Sequence, residues 1–176
     1  MKRFAALILA LAGCLPTQEA ATPLGPATLP LRNPTAPIAS QVNVDPIEFA
    51  GSWRVSSVAG ADWLAAGATV QAAVSGLNIV LTAPLADCTG EACFTRISMR
   101  NTADGRWAVA EGASTFSGEI WLLWTDVGRR TVVFGSPEGD VLVLLDKALP
   151  ISPDRRAAAR DILRWYGYDL SRLRGN

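Results

Sequence analysis

The sequence predicts an all-β fold: an eight-stranded antiparallel up-and-down β-barrel with one C-terminal α-helix packed outside it. Three observations carry this. Short β-like runs recur between residues 51 and 147 at about twelve residues per strand plus turn, the spacing of a meander. Several runs are apolar on both faces, which favours closing the sheet on itself over leaving free edges. A capped helix pattern follows the last run. Composition bounds the rest. The 176 residues are 49% hydrophobic, and 16 lysines and arginines balance 16 acids. That is enough apolar content for a real core and no basic excess for nucleic acid. The absence of histidine removes serine–histidine triads and histidine metal sites, and three cysteines fall short of a zinc cluster. A binding or structural protein is favoured over an enzyme, and no cofactor is called for.

Taken in chain order, Lys2 and Arg3 precede an apolar run over 4–11. This is a secretory pattern, too short to span a bilayer. Leu11-Ala12-Gly13-Cys14 resembles the lipobox of bacterial lipoproteins. The resemblance implies a signal peptide over 1–13 and acylation of Cys14 as the first mature residue, which would hold the chain to a membrane. An ordinary signal cleaved near Ala20-Ala21 is the alternative. Leu15 follows the cysteine, where aspartate would suggest inner-membrane retention in enteric bacteria. The expected location is therefore the bacterial envelope, lipid-anchored in the outer membrane and facing the periplasm. Without Lys2 and Arg3 the charge becomes 14 minus 16, or −2. Lipidation of Cys14 also leaves Cys88 and Cys93 as an even pair in an oxidising compartment. Their bridge would close a short loop worth roughly 2 kcal/mol; two free thiols are the alternative.

Residues 14–46 read as a lipidated cysteine and a disordered tether. Six prolines lie between Pro16 and Pro37, and only Glu19, Arg32 and Asp45 are charged between 15 and 46. Such a stretch buries little. The folded domain is expected over 47–176, with strands at 53–58, 68–75, 77–83, 94–100, 106–110, 119–125, 131–135 and 140–147. Connections two, four and six are tight. One, three and five are longer, and the seventh is short. Alternate connections fall at opposite ends of a meander, so one end is tight and the other mostly loopy: a cup with a mouth. An eight-stranded barrel has just enough interior for one small ligand.

Ser152-Pro153 supplies an N-cap and a first-turn proline, and Gly167 a C′ stop. Ala158, Ile162 and Trp165 are expected to form the helix's apolar face. On the last strand Val141, Val143 and Leu145 point opposite to Leu142 and Leu144; one set can line the barrel while the other receives the helix. Residues 154–174 carry six arginines against three aspartates, and residues 45–150 carry seven basic and twelve acidic side chains. Attraction between the two is screened by solvent, so packing is expected to set the docking.

Phe49-Ala50-Gly51-Ser52-Trp53 resembles the Gly-x-Trp motif that opens the first strand of lipocalins. Thr125-Asp126-Val127 resembles that family's Thr-Asp-Tyr motif, with valine where tyrosine is usual. Lys147 stands where the family commonly packs an arginine across the tryptophan. Gly76-Leu77-Asn78-Ile79 and the run 166–173 are similar to the bacterial outer-membrane lipoprotein branch. The resemblance covers residues 47–173 and implies a divergent lipocalin.

Trp53 reads as a floor plug, with Lys147 as its cation–π partner, and Asp126 as a turn residue accepting from backbone amides. Candidate ligand-binding residues are Val55, Val70, Ala72, Trp107, Val109, Trp121 and Leu123. Either Trp121 or Trp124 faces inward, and parity alone does not decide which. The aromatics line a cavity or fill a solid core; the small residues Ala72, Ala108 and Ala110 tip the reading toward a cavity. Trp63 and Leu64 form an apolar lid or a buried anchor. Arg96 and Arg100 read as solvated strand-face residues, with a lipid head group at the rim as the rival. The expected function is binding of a small hydrophobic ligand, such as a fatty acid or lysophospholipid, for transport, storage or envelope maintenance. The rivals are a periplasmic small-barrel protease inhibitor and a structural envelope protein with a filled barrel. Nothing pairs the carboxylates Glu111 and Glu119 with a nucleophile. Oligomeric state stays open.

Overall fold

The computed structural model describes residues 30–88, 90, 93–109, 116 and 118–175. Eight antiparallel strands form the barrel: β1 (Gly51–Ala59), β2 (Thr69–Ser75), β3 (Asn78–Pro84), β4 (Phe94–Ala103), β5 (Arg106–Val109), β6 (Gly118–Thr125), β7 (Thr131–Gly135) and β8 (Leu142–Asp146). Each pairs with its sequence neighbour, and β1 pairs with both β8 and β2, so the sheet closes. Closure satisfies the backbone groups an open meander would leave at its edges. The helix α1 (Pro153–Trp165) packs outside, and a two-residue strand β9 (Arg174–Gly175), which the sequence did not signal, pairs with β1 at Ser57 and Val58.

Two apolar cores share the barrel wall. The inner one fills the barrel; the outer one lies between the wall and α1. Strand β8 shows the division, with Leu145 and Val143 packed inward and Leu142 and Leu144 outward under the helix. On β6, Ile120 and Leu122 face inward. A register shift between Leu122 and Trp124 marks a β-bulge there, and Leu123 and Trp124 both join the outer core.

The helix is set by its caps. Ser152 Oγ accepts from Arg155 N at 3.3 Å, and Pro153 follows at the first helical position. At the other end Gly167, with φ +81°, closes a Schellman motif: Tyr168 N donates to Leu163 O and Gly167 N to Arg164 O, each at 3.0 Å. The buried face differs from the expected one. It consists of Ala159, Ile162, Leu163 and Tyr166, whereas Ala158 is exposed and Trp165 is 65% exposed, stacked on Tyr166. Ala159, Leu163 and Tyr166 repeat the same i, i+4, i+7 spacing one residue later, so periodicity alone did not separate the two faces. An ion pair also docks the helix: Arg155 Nη2 lies 3.1 Å from Asp146, whose side chain is 1% exposed. Arg155 Nε donates to Thr131 Oγ1 at 2.7 Å, and that hydroxyl donates to Asp146. The expected screening therefore does not apply to this pair.

Residues 30–45 correct the tether boundary. They form an ordered strap on the barrel, with Leu31 and Arg32 at 2% and 4% exposure. Leu31 packs among Leu123, Leu163 and Tyr168 in the outer core. Leu31 N donates to Gly139 O at 3.1 Å, Asn33 N to Gly167 O at 2.8 Å and Gln41 N to Leu122 O at 2.8 Å. The amides of Asn43 and Val44 donate to the Asp104 carboxylate. An extended, proline-rich chain loses less conformational entropy on docking, so a few buried side chains and individually placed hydrogen bonds hold it. The proposed signal peptide, Cys14 and the first half of the tether lie outside the described residues.

Candidate functional site: an apolar barrel interior

The tight end of the barrel is sealed. Trp53, 1% exposed, donates from Nε1 to Phe49 O at 2.7 Å. Lys147 Nζ sits 3.8 Å over the Trp53 ring and donates to Ala50 O at 3.3 Å. Partial desolvation holds the Lys147 ammonium below its ordinary pKa. Phe49 arrives on a short 3-10 helix (Pro46–Phe49) whose N-cap Asp45 accepts from Ile47 N at 3.1 Å. Its ring meets Trp107 and Phe134 edge-on, with centroids 6.4 and 5.8 Å away, and those two are 6.0 Å apart. Trp107 Nε1 donates to Leu77 O at 2.9 Å, so this buried aromatic cluster leaves no indole donor unsatisfied.

Asp126 orders the neighbouring turn. Its Oδ1 accepts from Arg130 N at 2.6 Å and Thr131 N at 2.8 Å, and its Oδ2 from Arg130 Nε at 3.1 Å. Burial alone would raise its pKa. The amides of Thr131 and Arg130 and the Arg130 guanidinium outweigh that and hold the carboxyl below its ordinary value.

Above the aromatic cluster, toward the longer loops, lies a cavity of about 60 Å³. Its wall includes Val70, Leu81, Ala83, Ile97, Met99, Val109, Ile120, Phe134, Val141 and Leu145, and among the described residues it exposes no polar atom. Trp63 and Leu64 from the first connection and Phe116 from the fifth complete the rim. Leu64 is buried, and the enclosed Trp63 Nε1 finds no hydrogen-bond partner among the described residues. The pair therefore acts as buried wall as well as cover. An apolar cavity of this kind stays dry and accepts apolar matter, since water there would find no hydrogen-bond partners.

Of the seven candidate ligand residues, Val70 and Val109 line the cavity. Val55, Ala72 and Trp107 face the same interior but belong to the packed part below it. Trp121 and Leu123 are corrections: both lie in the outer core. Leu123 packs beneath the helix side of the wall. Trp121 carries the Arg106 guanidinium 3.9 Å over its ring and donates from Nε1 to Glu119. Neither Trp121 nor Trp124 faces inward: Trp121 lies between the inward Ile120 and Leu122, and the bulge after Leu122 turns Trp124 outward as well. Ala108 alternates with the buried Trp107 and Val109 and so faces outward, while Ala110 and Glu111 lie outside the described residues. Sequence reasoning missed Ile97 and Met99, although their signal was present: they alternate with the exposed Arg96 and Arg100. Cys88 and Cys93 form a disulfide in the third connection, with Cα atoms 5.4 Å apart.

No protein-family model matches the chain, and no curated protein does. Among solved structures it is similar to insecticyanin from the tobacco hornworm Manduca sexta, a lipocalin. The identity is 12% and the TM-score 0.55, with 80% of this chain and 84% of that one covered. At that identity the likeness is one of fold: a closed eight-stranded up-and-down barrel with a helix outside is the lipocalin fold.

Proposed function

We propose that this chain is a membrane-anchored, non-enzymatic lipocalin of the bacterial outer-membrane branch that holds the apolar end of a lipid in its barrel. The observation that carries the reading is the cavity, which exposes no polar atom among the described residues and opens toward the loops. A space of about 60 Å³ suits a few methylenes and not a whole fatty acid. The remainder of a fatty acid or lysophospholipid would lie in the mouth. Each buried methylene contributes about 0.8 kcal/mol, so four supply roughly 3 kcal/mol before any contact at the rim. Anchoring would come from acylated Cys14, placing the barrel in the periplasm at the outer membrane, where it would transport, store or buffer lipid.

A filled, purely structural barrel is favoured by one observation, the Phe49–Trp107–Phe134 cluster that occupies the tight end. Tryptophan fluorescence separates the two readings. Residues 15–176 are titrated with oleate and with lysophosphatidylethanolamine. Because Trp63 is the indole on the cavity wall, saturable quenching is expected in the wild type and loss of the response in Trp63→Phe. A flat wild-type titration with both amphiphiles would favour the filled barrel.

A further inference from the structure

The strap fixes where the N-terminal chain leaves the barrel. Leu31 N donates to Gly139 O, Asp169 N returns a bond of 2.8 Å to Leu31 O, and Arg32 Nη1 donates to Pro137 O at 3.0 Å. Pro137 and Gly139 belong to the β7–β8 connection, on the mouth side with the first, third and fifth connections. From there the strap descends the outer wall to Asp104, which sits in the β4–β5 turn at the sealed end. The exit is therefore at the mouth. Sixteen residues, 15–30, separate Leu31 from Cys14. Fully extended at about 3.3–3.6 Å each, they reach at most ~58 Å.

We infer that the barrel stands mouth toward the membrane that holds Cys14. The inference rests on the anchored reading above and adds an orientation to it. A second observation points the same way. Among the described residues, the two exposed aromatics, Phe94 and Trp165, both lie at the mouth end. Phe94 opens β4 directly after the disulfide-closed loop. Trp165 ends α1, whose C-terminus is fixed to the β7–β8 connection through the Tyr168 hydroxyl, which donates to Ser136 O at 2.6 Å. Aromatic rings are the side chains that settle at a membrane–water interface. The other exposed large apolar side chains among the described residues are all aliphatic: Ile47, Leu77 and Val127 around the sealed-end turns, where the Glu48–Arg129 ion pair also lies, Val42 on the strap and Leu149 after β8. Scattered aliphatics of this kind are ordinary on a soluble surface.

The test uses the full-length lipidated chain on vesicles of phosphatidylethanolamine and phosphatidylglycerol. Spin labels are placed one at a time through Phe94→Cys, Trp165→Cys, Ile47→Cys and Val127→Cys. The disulfide and the acyl group leave only the introduced thiol to react. Vesicle binding should raise oxygen accessibility and lower aqueous nickel accessibility at positions 94 and 165, with no change at 47 and 127. Aqueous behaviour at all four positions, or membrane contact at 47 and 127 instead, overturns the orientation. Flotation of the same samples separates this from the anchor: the wild type should float with vesicles and Cys14→Ser should not. If the wild type fails to float, the anchor and the orientation fall together. If it floats with labels 94 and 165 in water, the orientation alone falls.

Discussion

Asp126 gathers two backbone amides and a guanidinium around one carboxylate, and its titration should be visible in stability. Its folded pKa lies below the ordinary aspartate value of 3.8. The stability it lends is therefore complete above that value and lost as pH falls through the lower folded one. Asp126→Asn should destabilise the protein at neutral pH by about 1–3 kcal/mol, since an amide fits two N–H donors poorly. The gap between the two proteins in urea unfolding should narrow on acidification; an unchanged gap would deny the carboxylate this role. Trp53, Lys147 and Asp126 were legible in the sequence because each belongs to a motif only a few residues long or to a fixed strand end. Trp121 was not. Its outward direction follows from Ile120 and Leu122 facing inward, in a strand apolar on both faces, while Trp124 is turned outward by a bulge at Leu123 that only the pairing with β7 reveals.

At the scale of elements, the strap and the helix depend on one another. Leu31 fills a site among Leu163, Tyr166 and Tyr168. Leu31→Ala should cost about 2–5 kcal/mol by leaving a cavity there. A chain starting at residue 46 should unfold at lower urea than one starting at residue 30, and equal midpoints would show the strap to be ornamental. The Arg155–Asp146 pair makes a second prediction. Arg155→Met leaves Asp146 buried with its cation gone and should cost about 3–5 kcal/mol, whereas the double change with Asp146→Leu should recover much of it. Thermal or chemical unfolding of the three variants checks this. The eight strands and both helix caps could be read from local pattern, with boundaries shifted by a few residues. The strap could not, because Leu31 and Ile38 stand alone among prolines with no period to mark them. Nor could the helix's buried face be fixed, since two apolar stripes one residue apart compete on it.

For the whole molecule, connection lengths alone gave the direction of the cup: the cavity does lie at the end with the longer loops. Whether the cup was hollow could not be read, because that is decided by Phe49. Its ring comes from outside the barrel strands and occupies the space beside Trp107 that a ligand would need. Of the small residues offered as making room, Ala72 does face the interior and Ala110 lies outside the described residues. Ala108 faces outward, and the space that exists is bounded instead by Ala83, Val70 and Val109 above the aromatics. The result is a half-filled barrel with a short, dry pocket.

The most direct test of that account fills the pocket. Ala83 lies on the cavity wall and is 2% exposed, so Ala83→Leu places extra methyl groups in the space assigned to the lipid end. Oleate binding is measured by calorimetry for the wild type and the variant, with melting temperatures recorded alongside. Saturable wild-type binding is expected, weakening about tenfold or more in Ala83→Leu, the equivalent of roughly 1.4 kcal/mol, while the melting temperature holds or rises. Binding of equal strength in both proteins would place the ligand somewhere other than the barrel, and no binding in either would leave the barrel a structural one.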